Sequence, residues 1–461
     1  MVFSSIVFLF YFLAPVLLIY KLVPTVKGKN ITLFIASLVF YAWGEPKYIL
    51  LMLFSALFNF ASGLVIHKTE KKKLAMVINI AINIGILVFF KYTNFILSWV
   101  GIFFPNGAPV IDILLPVGIS FYTFQALSYT IDVYRGKTRV QRSFLKFGLY
   151  LSLFPQLIAG PIVRYNDVAK QLRVRRHTPD KFMRGMTRFS AGLCKKVLIA
   201  NNVGKLWDTI SVFNYTGMSS SLAWLGIIAF TLQIYFDFSG YSDMAIGLGK
   251  MFGFDFLENF DYPYISKSVT EFWRRWHMSL GSWFREYVYI PMGGNRVGKV
   301  RMYINILVVW MLTGLWHGAS WNFVIWGLYY AVILVIEKTF LKKPLEKIGP
   351  LAHIYTMILV IIGWAIFSVE DLSQMLAYLG AMFRFGYGGF AEENFLYNLT
   401  SYAGVLIVAV IASTGVVTRL YNRFMPKKLW YIKYILAAIG FVICVAYLVD
   451  DTFNPFLYFR F

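Results

Sequence analysis

Apolar stretches of about twenty residues recur along this chain, each bounded by clusters of lysine and arginine. A helix rises about 1.5 Å per residue, so roughly 20 apolar residues cover the hydrocarbon core of a bilayer. By that rule spans are expected at 2–20, 31–44, 48–66, 74–102, 113–133, 186–211, 222–249, 302–316, 320–336, 351–368, 402–419 and 431–449. Only 14% of the residues are charged and 59% are hydrophobic, whereas soluble domains carry about 25% charge. A water-soluble globule is excluded. The expected fold is an all-α polytopic membrane protein with about 11–12 transmembrane helices plus re-entrant and interfacial helices. No repeat or soluble domain interrupts it, so residues 1–461 read as one membrane domain ending in a tail at 450–461.

The formal net charge is +22. In a soluble protein that excess suggests nucleic acid, but here the cations lie between apolar spans, where they set topology. The runs at 68–73, 135–146, 164–188, 338–347 and 419–433 are expected on the cytoplasmic side, and the cation-poor loops at 105–112, 214–221 and 386–398 outside. An even number of crossings then puts both termini outside a cytoplasmic (inner) cell membrane. Val2–Tyr20 lacks a cationic leader and a small-residue cleavage site, and reads as a retained helix. Lipid is the expected surroundings and nucleic acid is not a partner. Cys194 and Cys444 both lie in apolar stretches, so neither a disulfide framework nor a bound metal is expected.

Two segments do not fit simple spanning helices. Phe144–Ile162 is apolar but holds Pro155, Gly160 and Pro161 between two cytoplasmic flanks, and is expected to enter the membrane and return. Tyr262–Arg301 mixes aromatic residues with Arg274, Arg275, Arg285 and Arg296 and is too charged to face lipid. Such backbone is tolerated at membrane depth only where protein or a water-filled cavity surrounds it.

Of the five histidines, His67 abuts the lysine cluster, His177 lies in the basic loop and His353 begins a span, and each reads as an interfacial or solvated side chain. His317 lies sixteen residues past Arg301, about 24 Å along a helix from the cytoplasmic side. An ionisable group at that depth is by default a functional one; the plainer reading is a neutral histidine bridging two helices. Trp310, Thr313, Gly314 and His317 share one helix face, with Gly314 and Gly318 leaving room for close approach. His277 lies in the second irregular segment, where the plainer reading is a polar tip on an interfacial helix. A third cluster puts Asp237 and Asp243 in an apolar span, and the i, i+4 pairs Gln233/Asp237 and Ser239/Asp243 should face inward. Their expected partners are buried arginines rather than a metal.

The runs Phe272–Leu280, Trp283–Arg296 and Gly314-Leu315-Trp316-His317-Gly318, supported by Pro116–Tyr122 and Phe154–Ile162, strongly resemble the membrane-bound O-acyltransferase family, and within it the bacterial alginate and peptidoglycan O-acetylation branch. The resemblance implies helices around a central tunnel and an acyl group, most simply acetyl, passed from a cytoplasmic thioester to hydroxyls of an extracytoplasmic polysaccharide. His317 matches the family's catalytic histidine and His277 its second, more variable polar position. Trp316 and Asn322 fall with Trp310, Thr313 and the acidic cluster among the tunnel-lining or structural polar residues. No bound cofactor is implied. Acetyl-CoA or another acyl thioester is the donor substrate, and an extracytoplasmic acyltransferase- or esterase-like enzyme is the partner. Arg274, Arg275 and Arg285 are expected to grip donor phosphates at the entrance, with anionic lipid as the competing ligand.

The tail adds a further expectation. Phe456-Leu457-Tyr458-Phe459-Arg460-Phe461 resembles the end of a small single-span protein that works beside the D-alanyl-transferring member of the family. By that resemblance Tyr458 accepts the acyl group and relays it outward; the alternative is an aromatic anchor at the interface. At the level of the whole chain the competing reading is a transporter or flippase without chemistry of its own, for which buried carboxylates and broken helices are also natural.

Overall fold

The computed structural model describes residues 2–101, 111, 113–158, 160–384, 393–424, 431–450 and 457. Among them 78% are helical and there is no strand, as expected where a backbone in hydrocarbon must satisfy its own hydrogen bonds. In chain order the principal helices are α1 (Val7–Leu22), α2 (Val26–Gly44), α3 (Ile49–Lys68), α4 (Lys72–Val100), α5 (Ile119–Tyr134), α6 (Phe144–Ser152), α7 (Phe154–Leu157), α8 (Pro179–Cys194), α9 (Asn201–Ser211), α10 (Ser220–Met251), α11 (Val269–Arg275), α12 (Met278–Phe284), α13 (Lys299–His317), α14 (Trp321–Ile336), α15 (Leu351–Ser368), α16 (Leu372–Phe383), α17 (Glu393–Ser413), α18 (Val416–Phe424) and α19 (Ile432–Asp450). Among the described residues seven helices are long and apolar enough to cross a membrane: α3, α4, α10, α14 with its continuation to Lys347, α15, α17 and α19. The protein is a multi-pass membrane protein.

Three expected boundaries are corrected. The span expected at 113–133 starts at Ile119, because the chain turns at Gly118 with φ +77°; a Cβ there would lie 2.9 Å from the Leu157 carbonyl oxygen. The span expected at 402–419 is instead Glu393–Ser413, broken by Gly415 at φ +70° before the short α18, so part of the loop expected at 386–398 is helical. Helix α16 was not anticipated from hydropathy.

The chain packs as two compact units. One comprises residues 1–191 and 241–258. Its α5 is buried almost along its whole length and packs against α3 and α4. Lipid tails are as apolar as leucine, so polar contacts and close packing must hold such helices together. Here Asn79 and Asn83 each donate to Asn59 Oδ1 at 2.9 Å, and Thr130 donates to Asn79 Oδ1 at 2.8 Å. The irregular segment expected at Phe144–Ile162 is a broken helix, α6 then α7, interrupted at Leu153 and buried from Phe147 through Leu157.

The second unit comprises residues 192–240 and 259–461. It holds both candidate histidines. Helix α10, which belongs to this unit through Gly240, is buried over 83% of its most apolar window, whereas α19 is buried over only 6%, which makes α10 a core helix and α19 a peripheral one. Helices α13 and α14 cross at two glycines: a Cβ on Gly314 would collide with the Phe323 carbonyl, and one on Gly327 with the Trp310 carbonyl. Gly318 is closed off by the Phe323 ring in the same way.

Candidate active site

His317 is the last residue of α13, which runs unbroken from Lys299, so the rise of about 24 Å from Arg301 expected from residue spacing holds. Gly318 ends the helix in an extended conformation, and α14 begins three residues later after Ser320. This turn leaves His317 half-buried among rings. Its imidazole centroid lies 5.0 Å from Trp316, 5.1 Å from Trp326, 5.1 Å from Phe367 and 6.4 Å from Phe323.

His277 reaches the same wall from another direction. It stands between α11 and α12, buried, with its ring 5.9 Å from Trp316 and 6.2 Å from Phe260. Trp316 therefore contacts both histidines. The plainer reading of His277 as an exposed polar tip is excluded by its 5% exposure. It lies in none of the spanning helices, and burial lowers its imidazole to about 4, which keeps the ring neutral near pH 7. The aromatic lining continues through Trp273, Trp276, Tyr330 and Trp364; Trp276 and Trp364 lie 4.9 Å apart and Trp273 lies 4.8 Å from both Trp310 and Tyr330.

The remaining expected residues divide. Trp310 and Trp316 are part of this wall, but the Thr313 hydroxyl donates to Val309 O of its own helix at 2.7 Å. Asn322 donates to Phe367 O at 3.1 Å and so ties α14 to the end of α15 beside His317. Gln233, Asp237, Ser239 and Asp243 are all buried, in a stretch of α10 that is buried on every side from Ala229 through Gly249. Asp243 pairs with an arginine, as expected, at 2.5 Å, but Arg188 is half-buried rather than buried, with 32% of its side chain exposed. Asp237 departs from the expectation: its partner is Lys196, at 2.6 Å, with side chains 1% and 4% exposed. Its second oxygen accepts the backbone N–H of Leu457 at 2.9 Å. Tyr458 itself lies outside the described residues.

The three arginines expected at the donor entrance also differ. Arg274 and Arg285 are exposed and form no ion pair among the described residues. Arg275 is half-buried and held by Glu271 at 2.9 Å and Asp261 at 3.1 Å.

Sequence reasoning missed several residues that shape the site. Glu337 accepts the N–H groups of Val269 and Thr270 at 2.7 and 2.8 Å, capping α11; its only sequence signal was an acid at the end of an apolar span. Trp364 and Phe367 lie in a stretch legible only as hydropathy. Asn259, buried beside α12, gave no signal by periodicity.

Residues 138–343 match the membrane-bound O-acyltransferase family. The chain is 43% identical over 440 residues to the probable alginate O-acetylase AlgI of Pseudomonas aeruginosa, covering 93% of this chain and 84% of that protein. It is 34% identical over 423 residues to the peptidoglycan O-acetyltransferase of Helicobacter pylori, covering 83% and 80%. A teichoic acid D-alanyltransferase of Bacillus subtilis is 29% identical over 239 residues, covering 49% and 60%. Acyl transfer is common to the three names, and on the extent of the first two matches this chain is an acyltransferase that belongs to the membrane-bound O-acyltransferase family.

Proposed function

We propose that the protein moves an acetyl group from a cytoplasmic acyl thioester, acetyl-CoA in the simplest case, toward hydroxyls of an extracytoplasmic polysaccharide, with His317 as general base. The observation that carries this reading is that His277 and His317, forty residues apart in sequence, both contact Trp316 in an otherwise apolar, aromatic surround. A hydroxyl is a weak nucleophile near neutral pH. An imidazole takes its proton as the oxygen attacks the thioester carbonyl. Collapse of the tetrahedral intermediate breaks the C–S bond, the ester leaves, and the imidazolium returns its proton to the departing thiolate. Neutral His277 lines the thioester path and can donate one hydrogen bond to the developing oxyanion.

Exposed Arg274 and Arg285 suit the role of gripping donor phosphates; Arg275, already engaged by two carboxylates, suits a structural role better. The names of the relatives support acetyl transfer to alginate or peptidoglycan as the class of reaction. The polysaccharide itself would be engaged by an extracytoplasmic acyltransferase- or esterase-like partner, the enzyme sitting in the cytoplasmic membrane with both termini outside. Tyr458 would act as an acyl relay, a reading supported by the contact of its neighbour Leu457 with buried Asp237.

The test is thioester hydrolysis and acyl transfer by the purified protein. Loss of a general base should cost about 10²–10⁴ in rate, so His317→Ala is expected to fall by that factor while still folding and inserting. Activity within about threefold of wild type would remove His317 from the chemistry, and absence of hydrolysis in the wild type would favour the transporter reading.

A further inference from the structure

His277 carries its imidazole on an unusual backbone. Its φ and ψ are 43° and 53°, the left-handed region that favours glycine. Among the described residues the other non-glycine residue with positive φ is Tyr262, at 44°, and the chain between Asn259 and Tyr262 lies directly against the chain around His277. The Asp261 N–H donates to Arg275 O at 3.0 Å and the Met278 N–H donates to Asn259 O at 2.9 Å. The Asn259 side chain then accepts twice at one atom: Oδ1 takes the Ser279 N–H at 3.1 Å and the Ser279 hydroxyl at 2.8 Å. Asn259 and Ser279 are 2% and 4% exposed.

Helix α11 ends at Arg275 and α12 begins at Met278, so the two residues between them need an outside reason to turn. The first N–H groups of α12 have no partner within the helix. Asn259 takes those of Met278 and Ser279 from outside α12. An L-residue holds a left-handed conformation only where its surroundings over-determine it, and here Asn259 fixes the residue after His277 by its carbonyl and the next by its side chain.

We infer that Asn259 is a positioning residue, a buried clamp that forces the left-handed turn at His277 and so aims the imidazole at Trp316 and the His317 site. This rests on the reading of the histidine pair as the reacting site. Without the two bonds to Oδ1, His277 relaxes toward ordinary helix or extended backbone, and either change of φ swings the ring away from Trp316.

The experiment reads the position of His277 directly. Diethylpyrocarbonate acylates neutral, accessible imidazoles, and the modified peptide is quantified by mass spectrometry on detergent-purified protein. In the wild type, buried His277 should react slowly. Asn259→Leu, which keeps the backbone carbonyl but removes Oδ1, is expected to raise His277 labelling about tenfold, the weight of two lost hydrogen bonds, and to lower acyl transfer with a fall in kcat rather than a rise in KM. Asn259→Asp retains an acceptor and should restore both. If Asn259→Leu does not fold, Ser279→Ala removes one of the two bonds and should give an intermediate rise in labelling. Labelling unchanged in folded Asn259→Leu or in Ser279→Ala overturns the inference. Increased labelling with acyl transfer unchanged keeps the clamp and instead removes His277 from the proposed chemistry.

Discussion

Neutralising Asp237 while Lys196 stays charged should destabilise the protein by about 3–5 kcal/mol, the cost of stripping a buried charge of its partner. The two groups are 2.6 Å apart and 1% and 4% exposed, so neither water nor salt screens the ammonium left behind. Asp237→Asn is the appropriate probe, because its amide oxygen can still accept the Leu457 N–H, now 2.9 Å away. Lys196→Met should cost less, since the surviving carboxylate keeps that hydrogen bond, worth about 1.5–3 kcal/mol to a charged group. The double variant buries no charge and is expected within about 1–2 kcal/mol of wild type, replacement of a buried pair by neutral groups of similar volume often being close to neutral. The cycle therefore predicts an interaction energy of at least about 2 kcal/mol. Titration of purified protein with a denaturing detergent, followed through tryptophan fluorescence, measures each corner. Additivity to within about 0.5 kcal/mol would mean that the two charges do not stabilise one another and would refute the argument.

Two further predictions concern protonation and the tail. The folded value of about 4 for His277 lies below the ordinary histidine value of about 6.5: the unfolded chain takes up a proton that the folded chain refuses, so this contribution to stability is complete above pH 6.5 and is lost as pH falls toward 4, about 1.4 kcal/mol per unit and roughly 3 kcal/mol in all. His277→Gln should lack that part of the acid sensitivity in unfolding measured between pH 7 and 4.5; identical pH profiles for the two proteins would contradict it. Tyr458→Phe keeps the ring and removes only the hydroxyl, so it should abolish surface-glycan acylation at normal protein levels if the tail relays the acyl group, whereas full acylation by mass spectrometry of the glycan would leave only the anchor.

Membrane solubility acts on every residue of a helix independently of what it packs against, which is why the sequence alone determined the helical class and most spans. The motifs pointed to His277 and His317, and the structure sets both against Trp316. Boundaries failed where a local backbone choice overrode hydropathy: Gly118 delayed α5, and Gly415 ended α17. Partnership was decided by tertiary structure, because it depends on which side chains meet across hundreds of residues. Nothing in the local sequence of α10 could show that Asp237 would meet a lysine rather than an arginine, or that its other oxygen would hold a backbone N–H from a residue 220 positions away. Nor could spacing reveal that Trp316 lies against both histidines, that Glu337 caps the helix leading to one of them, or that Asn259 imposes the left-handed turn on which His277 stands. Periodicity reports the face a side chain shows to its surroundings, and the identity of the atom facing it is fixed only when the helices are packed.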